Sequence, residues 1–350
     1  MSVRFSPTCL KVRGSASALP GPPVGNEELL DALREHCGLA AARRAGRYAR
    51  RLGINSRHLS RDLGRALSGT RPGCEAPTLC ENALRAAGAD GHLSYLIGHT
   101  ATPHTLLPAN ISWVAEQMRY AGPYLELRQA CTGFASGLMI AAAMIAEDET
   151  ARIGVVGSET GSPYFDISRA FLDQEQLINY VQMGDGAGAV VLGSDDGSGS
   201  AVISDIYSGQ SGIDMQPGIS LEGGGSTAPF CEKRLPFFRH RAGDVRRNGE
   251  RLIMKGVAAI ESRGYSLSDF DWILPHQANG LMDELIAARF PAVRGRVFVT
   301  ADRYGNLGSA AIWIGLDQLR RSGRIRKGQR VLVLGAEASK YMYGGFVYTH

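Results

Sequence analysis

CTGFASGLMIAAAMIAEDETARIGVVGSE, residues 131–159, is the stretch that decides the fold. It reads as a turn of small residues, an apolar helix, a charged linker and a strand ending Gly157-Ser158-Glu159. The same order returns in GNLGSAAIWIGLDQLRRSGRIRKGQRVLVLGAE, residues 305–337, which ends Gly335-Ala336-Glu337. Upstream of each copy lies a helix, a linker and a strand: ENALRAAGADGHLSYLIGHT (81–100) and AAIESRGYSLSDFDWILPHQ (258–277). Residue identities between the copies are few, but the elements keep one order. A period this long is not a solenoid repeat and implies a duplicated α/β unit. Strands alternating with helices imply mostly parallel sheets covered by helices. Two such units pack as layers around a pseudo-twofold axis, with the loops at their strand ends facing each other. Open α/β sheets carry their chemistry on those loops.

The halves divide as 1–195 and 196–350. Within them, residues 26–48 and 57–68 read as helices with Arg-rich faces, and YLELR (124–128) as a short strand leading into Cys131. Residues 188–195 and 201–208 read as strands, and the Gly/Ser/Pro-rich stretch 209–229 as a loop excursion.

Composition sets limits. The 350 residues are 44% hydrophobic and 21% charged, an ordinary globular balance. Net charge is +4, from 38 basic and 34 acidic residues, too mild to argue for a nucleic-acid partner. The basic residues cluster at 43–57 and 320–330, as solvated surface or as a docking patch for an acidic partner. Six cysteines, at 9, 37, 74, 80, 131 and 231, form no C-x-x-C pair and no zinc spacing. They read as reduced thiols of a cytoplasmic protein. MSVRFSPTCLKVRG has no apolar core of a signal peptide, and the longest apolar run, 137–146, is too short for a membrane span.

Chemistry is placed by the duplication. Tyr95–His99 corresponds to Trp272–His276, and the turn at Cys131 to the turn at Asn306. Cys131, His276 and Asn306 therefore share one loop cluster. A thiol beside an imidazole is a nucleophile pair, and a helix N-terminus at Cys131 is expected to lower the thiol pKa. The Asn306 amide can donate to an oxygen gaining negative charge. His99 reads as an ordinary structural residue. Glu159 and Glu337 read as carboxylates accepting loop N–H groups. GDGAG (184–188) is followed by a strand, so it is no dinucleotide loop, and EGGGS (222–226) lacks the Lys of a phosphate loop.

ACTGFASGL (130–138), MGDGAGAVVLG (183–193), PHQAN (275–279) and YGNLGSA (304–310) resemble, in order and approximate spacing, the thiolase superfamily. The resemblance is strongest to its β-ketoacyl-acyl carrier protein synthase III branch; SALPGPPVGNEELLDAL (17–33) and LGINSRHL (52–59) extend it over nearly the whole chain. It implies a thiolase-like duplicated αβαβα layered α/β fold with pseudo-twofold symmetry. It implies that Cys131 takes an acyl group from a thioester, and that His276 and Asn306 stabilise the enolate formed when a malonyl thioester loses CO₂. The oxyanion hole is then made by backbone N–H groups of Cys131 and Ser339. Acyl-acyl carrier protein or acyl-coenzyme A and malonyl-acyl carrier protein are the implied substrates, with no bound cofactor and no metal. Arg47, Arg51, Arg247, Arg251 and Lys255 are the expected contacts to substrate or carrier, and a homodimer across the strand before Cys131 is expected.

Three departures stand out. GAEASKYMYGG (335–345) replaces a glycine-rich turn. Arg47 and Leu177 stand where coenzyme A-preferring members clasp adenine with Trp and Arg. Gln129-Ala130-Cys131-Thr132 replaces the usual flank of the nucleophile. Together these imply a specialised fatty-acid or polyketide enzyme with a carrier protein as donor. Three alternatives remain open: acyl transfer to a hydroxyl or amine, non-decarboxylative condensation, and an inactive subunit of a heterodimer.

Overall fold

A helix that is apolar all round has no water-facing side and belongs between two layers. Gly133–Glu147 is such a helix, with Phe134, Ala135, Leu138, Ala141, Ala142 and Ile145 all buried. Its counterpart Ala311–Arg321 buries Ile312, Trp313, Ile314, Leu316 and Leu319. We label four helices: α1 (Ala76–Ala86), α2 (Gly133–Glu147), α3 (Ala242–Glu261) and α4 (Ala311–Arg321). The computed structural model describes residues 3–168, 173–229 and 236–350, and Cys231 lies outside them.

Nine strands carry the fold. They are β1 (Leu10–Ala18), β2 (Tyr95–His99), β3 (Tyr124–Leu127), β4 (Ile153–Glu159) and β5 (Gly186–Ser194), then β6 (Val202–Gln210), β7 (Trp272–Pro275), β8 (Arg330–Glu337) and β9 (Met342–Thr349). The first five pair in the order β3-β2-β4-β5-β1, with only β5 running against its neighbours. The last four pair in the order β7-β8-β9-β6, with β9 antiparallel to both sides. Outside β7, a parallel bridge from Ile273 to Val297 stands where β3 stands outside β2. The two halves have one topology. They meet where β1 and β6 pair antiparallel through Leu10–Ile203 and Lys11–Val202, which is the pseudo-twofold. Helix α1 packs on the outer face of the first half and α3 on that of the second, while α2 and α4 fill the middle. The layers run α, β, α, β, α.

The central seam is aromatic. Phe134 of α2 meets Trp313 of α4 edge-on at 6.0 Å and Phe346 of β9 at 5.8 Å. Gly335 of β8 makes room for it: a Cβ there would lie 2.6 Å from the Phe134 ring.

Several local readings change. Residues 57–68 are not helical: Arg57 ends the two-residue strand Ser56–Arg57 and the rest is irregular. Arg57 and Arg61 turn inward instead and donate to main-chain carbonyls of Val181, Phe165, Arg65 and Ala66. The backbone they would have coiled is held by Asp185, which accepts from Ser60 N–H at 2.6 Å. The helix expected over 26–48 is two, Asn26–Cys37 and Leu39–Leu52, broken at Gly38 with φ 86°. The excursion 209–229 contains a short strand, Ile219–Glu222, paired with Phe237–His240. Strands β1 and β9 were not foreseen. None of the five described cysteines is in a disulfide. No helix among the described residues is long and apolar enough to cross a membrane.

Phe134→Ala removes the ring that joins the halves. It is expected to lower unfolding free energy by about 3–5 kcal/mol, read from the denaturant midpoint at unchanged slope.

Candidate active site

Each expected site residue sits at the end of an element that the duplication placed there. Cys131 precedes α2, His276 follows β7, and Asn306 lies in the turn before α4. Hydrogen bonds tie these turns together. The Ser309 hydroxyl, in the Asn306 turn, donates to Gln129 O at 3.4 Å, two residues before Cys131. Gln182 takes Asn306 N–H on its main-chain oxygen at 2.8 Å and gives its side-chain amide to Ala278 O at 2.7 Å, in the His276 loop. Gln277, fully buried, accepts from Thr300 N–H (2.7 Å) and Ala301 N–H (3.3 Å), so the residue after His276 holds the segment that leads to Asn306. Sequence reasoning quoted PHQAN but missed this role of Gln277. For Gln182 there was no signal.

Two carboxylates cross between the halves in mirror fashion. Glu159 ends β4 of the first half and accepts from Ser309 N–H (3.0 Å) and Ser309 Oγ (2.9 Å) of the second. Glu337 ends β8 of the second half and accepts from Thr132 N–H (3.0 Å) and Thr132 Oγ1 (2.7 Å) of the first. Both are buried, at 2% and 4% exposure, so these hydrogen bonds must carry the cost of two desolvated acids. The second oxygen of Glu159 takes Ala101 N–H and Thr102 Oγ1, and that of Glu337 takes the Ser339 hydroxyl. Ser339 is thereby anchored one turn past β8.

The protonation state differs from expectation. A lowered thiol pKa was expected at Cys131. Instead burial pushes the thiol well above its ordinary value, and the nearby charges of Glu337 and Glu159 push the same way; only its own backbone N–H pulls back. Burial also drives His276 down to about 4, so its imidazole is neutral near pH 7. Both shifts run away from an ion pair and toward a thiol beside a neutral imidazole. Asn306 has its Oδ1 fixed by Gly308 N–H at 3.0 Å, which orients the amide and leaves Nδ2 as a donor.

His99 occupies the place symmetric to His276 and does something else. Its Nε2 accepts from Trp313 Nε1 at 2.9 Å, and burial brings it to about 4. A Cβ on Gly133 or Gly157 would collide with its ring, so it packs directly under the Cys131 turn.

The remaining expected residues lie on the surface. Arg47 and Arg51 are exposed on Leu39–Leu52, and Arg247 and Arg251 on α3. Arg247 pairs with Asp244, and Lys255 lies half-buried with its ammonium 5.8 Å from the Tyr343 ring. Leu177 is buried in the core beside Leu29 and Leu33. In the basic run 320–330, Arg321 bonds the buried Asp317 at 2.9 Å and Arg324 stacks 4.6 Å over Trp272. Two open cavities of about 460 and 420 Å³ flank Arg324, and neither is lined by Cys131, His276 or Asn306. Among the described residues no group of three or more His, Cys, Asp or Glu could hold a metal ion.

Two buried neutral histidines make stability depend on pH. The unfolded chain protonates both from about pH 6.5 downward, and the folded one only near 4, so stability present at neutral pH is lost as pH falls through that window. Each is worth up to about 3 kcal/mol. The melting temperature is expected to drop between pH 6.5 and 4, with a shallower drop in His276→Gln.

Comparison with known proteins agrees with this architecture. The family profile of the 3-oxoacyl-[acyl-carrier-protein] synthase III C terminal matches residues 260–348, which hold His276 and Asn306. That of 3-oxoacyl-[acyl-carrier-protein] synthase III matches 125–210, which hold Cys131. A β-ketoacyl-[acyl-carrier-protein] synthase III of Desulfitobacterium hafniense is 30% identical over 300 residues, covering 81% of this chain and 83% of its own. That of Neisseria meningitidis is 29% identical over 343 residues, covering 93% and 94%. Among solved structures, the tetronic acid condensing enzyme AbyA1 superposes with TM-score 0.80 at 27% identity, over 97% of this chain and all of its own. The synthase III of Pseudomonas aeruginosa shares the fold with TM-score 0.80 at 23% identity, over 97% and 98%. The chain belongs to the β-ketoacyl-acyl carrier protein synthase III family of the thiolase superfamily and is an acyl-transferring condensing enzyme.

Proposed function

We propose that Cys131 is loaded with an acyl group from a thioester and that the acyl-enzyme condenses with a malonyl thioester by decarboxylation. The observation that carries this reading is the pairing of two uncharged groups, a neutral His276 and the oriented amide of Asn306, on loops joined by Gln182. In loading, Sγ bonds to the thioester carbon, its proton passes to His276, and the donor leaves as a thiolate that takes the proton back. In condensation, the malonyl C–CO₂ bond breaks and its electron pair forms an enolate. His276 and Asn306 donate to the enolate oxygen. The carbanion then bonds to the acyl carbon, the C–S bond breaks with its electron pair on Sγ, and the thiolate takes one proton from solvent water. Neutral donors suit this step, because a carboxylate in place of Asn306 could only accept. Backbone N–H groups of Cys131 and Ser339 form the oxyanion hole for the acyl carbonyl in this scheme. Residues 1–195 contribute the nucleophile and 196–350 the His and Asn.

An acyl carrier protein is the proposed donor, with coenzyme A thioesters as lesser ones. Leu177, sunk in the core, is unable to clasp an adenine. Gly280 N–H bonds Leu52 O at 2.8 Å, so the loop after His276 abuts the end of the helix bearing Arg47 and Arg51. Arg289, on the helix that follows, pairs with Glu250 of α3 at 3.7 Å, so Arg247 and Arg251 flank the other side. An acidic carrier fits a loop bracketed by two basic helices. A homodimer across β3 is supported by its unpaired sheet edge and by the exposed apolar groups Tyr124 (44%), Leu106 (64%) and Leu107 (88%). The Glu337 turn, foreign to a glycine-rich pattern, and the likeness to AbyA1 support a specialised fatty-acid or polyketide pathway.

The test is intact-protein mass spectrometry with a panel of acyl-carrier and acyl-coenzyme A donors, followed by a malonyl-carrier chase. An acyl adduct on the wild type that is lost in Cys131→Ala, and released as a β-ketoacyl product with CO₂, is expected. Asn306→Asp should still load while its CO₂ release falls about 10²–10³-fold. An adduct that the malonyl donor never discharges overturns condensation in favour of acyl transfer to another acceptor.

A further inference from the structure

The turn after β8 is held from outside as well as from within. Residues 211–219 leave β6 and cross over it as a strap. Ser211 N–H donates to Tyr341 O at 2.9 Å. Gly218 N–H and Ile219 N–H both donate to Ala338 O, at 3.0 and 3.2 Å. Between those ends, Lys340 Nζ donates to Met215 O at 2.7 Å. The approach is close enough to demand glycine. A Cβ on Gly212 would collide with Lys340 O, and one on Gly218 would lie 2.8 Å from Tyr341 Oη and 2.9 Å from Ala338 O. The turn needs such support. Tyr341 is 1% exposed and has φ 56°, a left-handed conformation that persists only where the surroundings over-determine it. On the inner side, the Ser339 hydroxyl donates to Glu337. Ser339 thus sits in a turn gripped from both sides, next to an exposed lysine.

We propose that Lys340 is a positioning residue for acyl transfer to Cys131. Its tie to Met215 O keeps the strap seated on residues 338–341, and the seated turn keeps Ser339 N–H aimed at the acyl carbonyl. When Sγ bonds to the carbonyl carbon, the C=O π pair moves to oxygen and the thiol proton passes to His276. Ser339 N–H then holds that oxyanion until the leaving group departs with its electron pair and the carbonyl re-forms. The Lys340 ammonium is occupied by Met215, so it acts through the turn and not on the substrate. A glycine-rich turn could adopt positive φ without strain. A chain that carries Ala338, Ser339, Lys340 and Tyr341 there holds the turn by tying it down. The inference rests on the reading of Cys131 as nucleophile and Ser339 N–H as oxyanion donor, but its test needs no thioester.

The test compares two reagents on Cys131, read by intact-protein mass spectrometry with Cys131→Ala as the blank. p-Nitrophenyl hexanoate acylates the sulfur through a tetrahedral oxyanion and releases p-nitrophenolate. Iodoacetamide alkylates the same sulfur by direct displacement of iodide, with no oxyanion. Lys340→Met keeps the side-chain length and loses the donor. It is expected to slow acylation about tenfold and to leave alkylation within about twofold of the wild type, because a misaimed N–H costs rate only where an oxyanion forms. Lys340→Arg is expected to restore acylation. Amide hydrogen exchange over 211–219 is expected to quicken in the Met variant and to slow again in the Arg variant. Equal slowing of both reagents, unchanged acylation, or a wild type that the ester does not acylate overturns the proposal. So does a strap that exchanges no faster in the Met variant. If the split between reagents appears but no acyl-carrier or acyl-coenzyme A donor loads the wild type, the functional reading fails and this one stands. If donors load the wild type and the split is absent, the reverse holds.

Discussion

The structure depends on two carboxylates that each half lends to the other. Glu159 reaches from the first sheet to Ser309, and Glu337 reaches from the second sheet to Thr132. Each satisfies main-chain and hydroxyl donors at the start of the opposite central helix, where the first N–H groups have no partner of their own. The aromatic contact of Phe134, Trp313 and Phe346 fixes how far apart the halves sit. The acids fix how the two catalytic turns are presented across that distance.

This arrangement explains why a duplicated fold carries one site and not two. At the first symmetric position a histidine follows a strand and is sealed under Trp313. At the second, His276 follows a strand and leaves its Nδ1 buried and unpartnered. The turn before one central helix offers a sulfur, and the turn before the other offers an amide. Symmetry supplied the placement; Cys131 against Asn306, and the different neighbours of the two histidines, assigned the roles.

The sequence made the architecture legible where pattern and period are strong. The two helix–strand repeats and the turns at Cys131 and Asn306 could be read directly, because each is a short-range pattern; that Glu159 and Glu337 accept loop N–H groups was legible, but not that each does so in the opposite half. Residues 57–68 were misread because two arginines point inward, and a charged side chain on a helical period looks like a wet face. Strands β1 and β9 went unseen; β1 alternates only over Leu10–Arg13 before a register shift at Gly14 and a run of small residues, and β9 opens on Met342-Tyr343-Gly344-Gly345, so each pattern is too short to stand out. The protonation of Cys131 was beyond reach for a different reason. The upward push comes first from burial and then from Glu337 and Glu159, all set by tertiary packing, and a local rule about helix ends does not contain them.

Because the bond from Glu337 to Thr132 spans 205 residues, the nucleophile turn is completed only after the second half has been made. At about 5–20 residues per second, the ribosome delivers Glu337 about 10–40 s after Cys131. The first half emerges with its sheet closed by β5 but with Thr132 unbraced and α2 uncovered on the side that Phe346 later fills. A nascent chain thus carries an exposed apolar helix and an unfinished catalytic turn for that interval. The catalytic turn is braced only once β8 and β9 have formed, so the chemistry of the first half waits on the second.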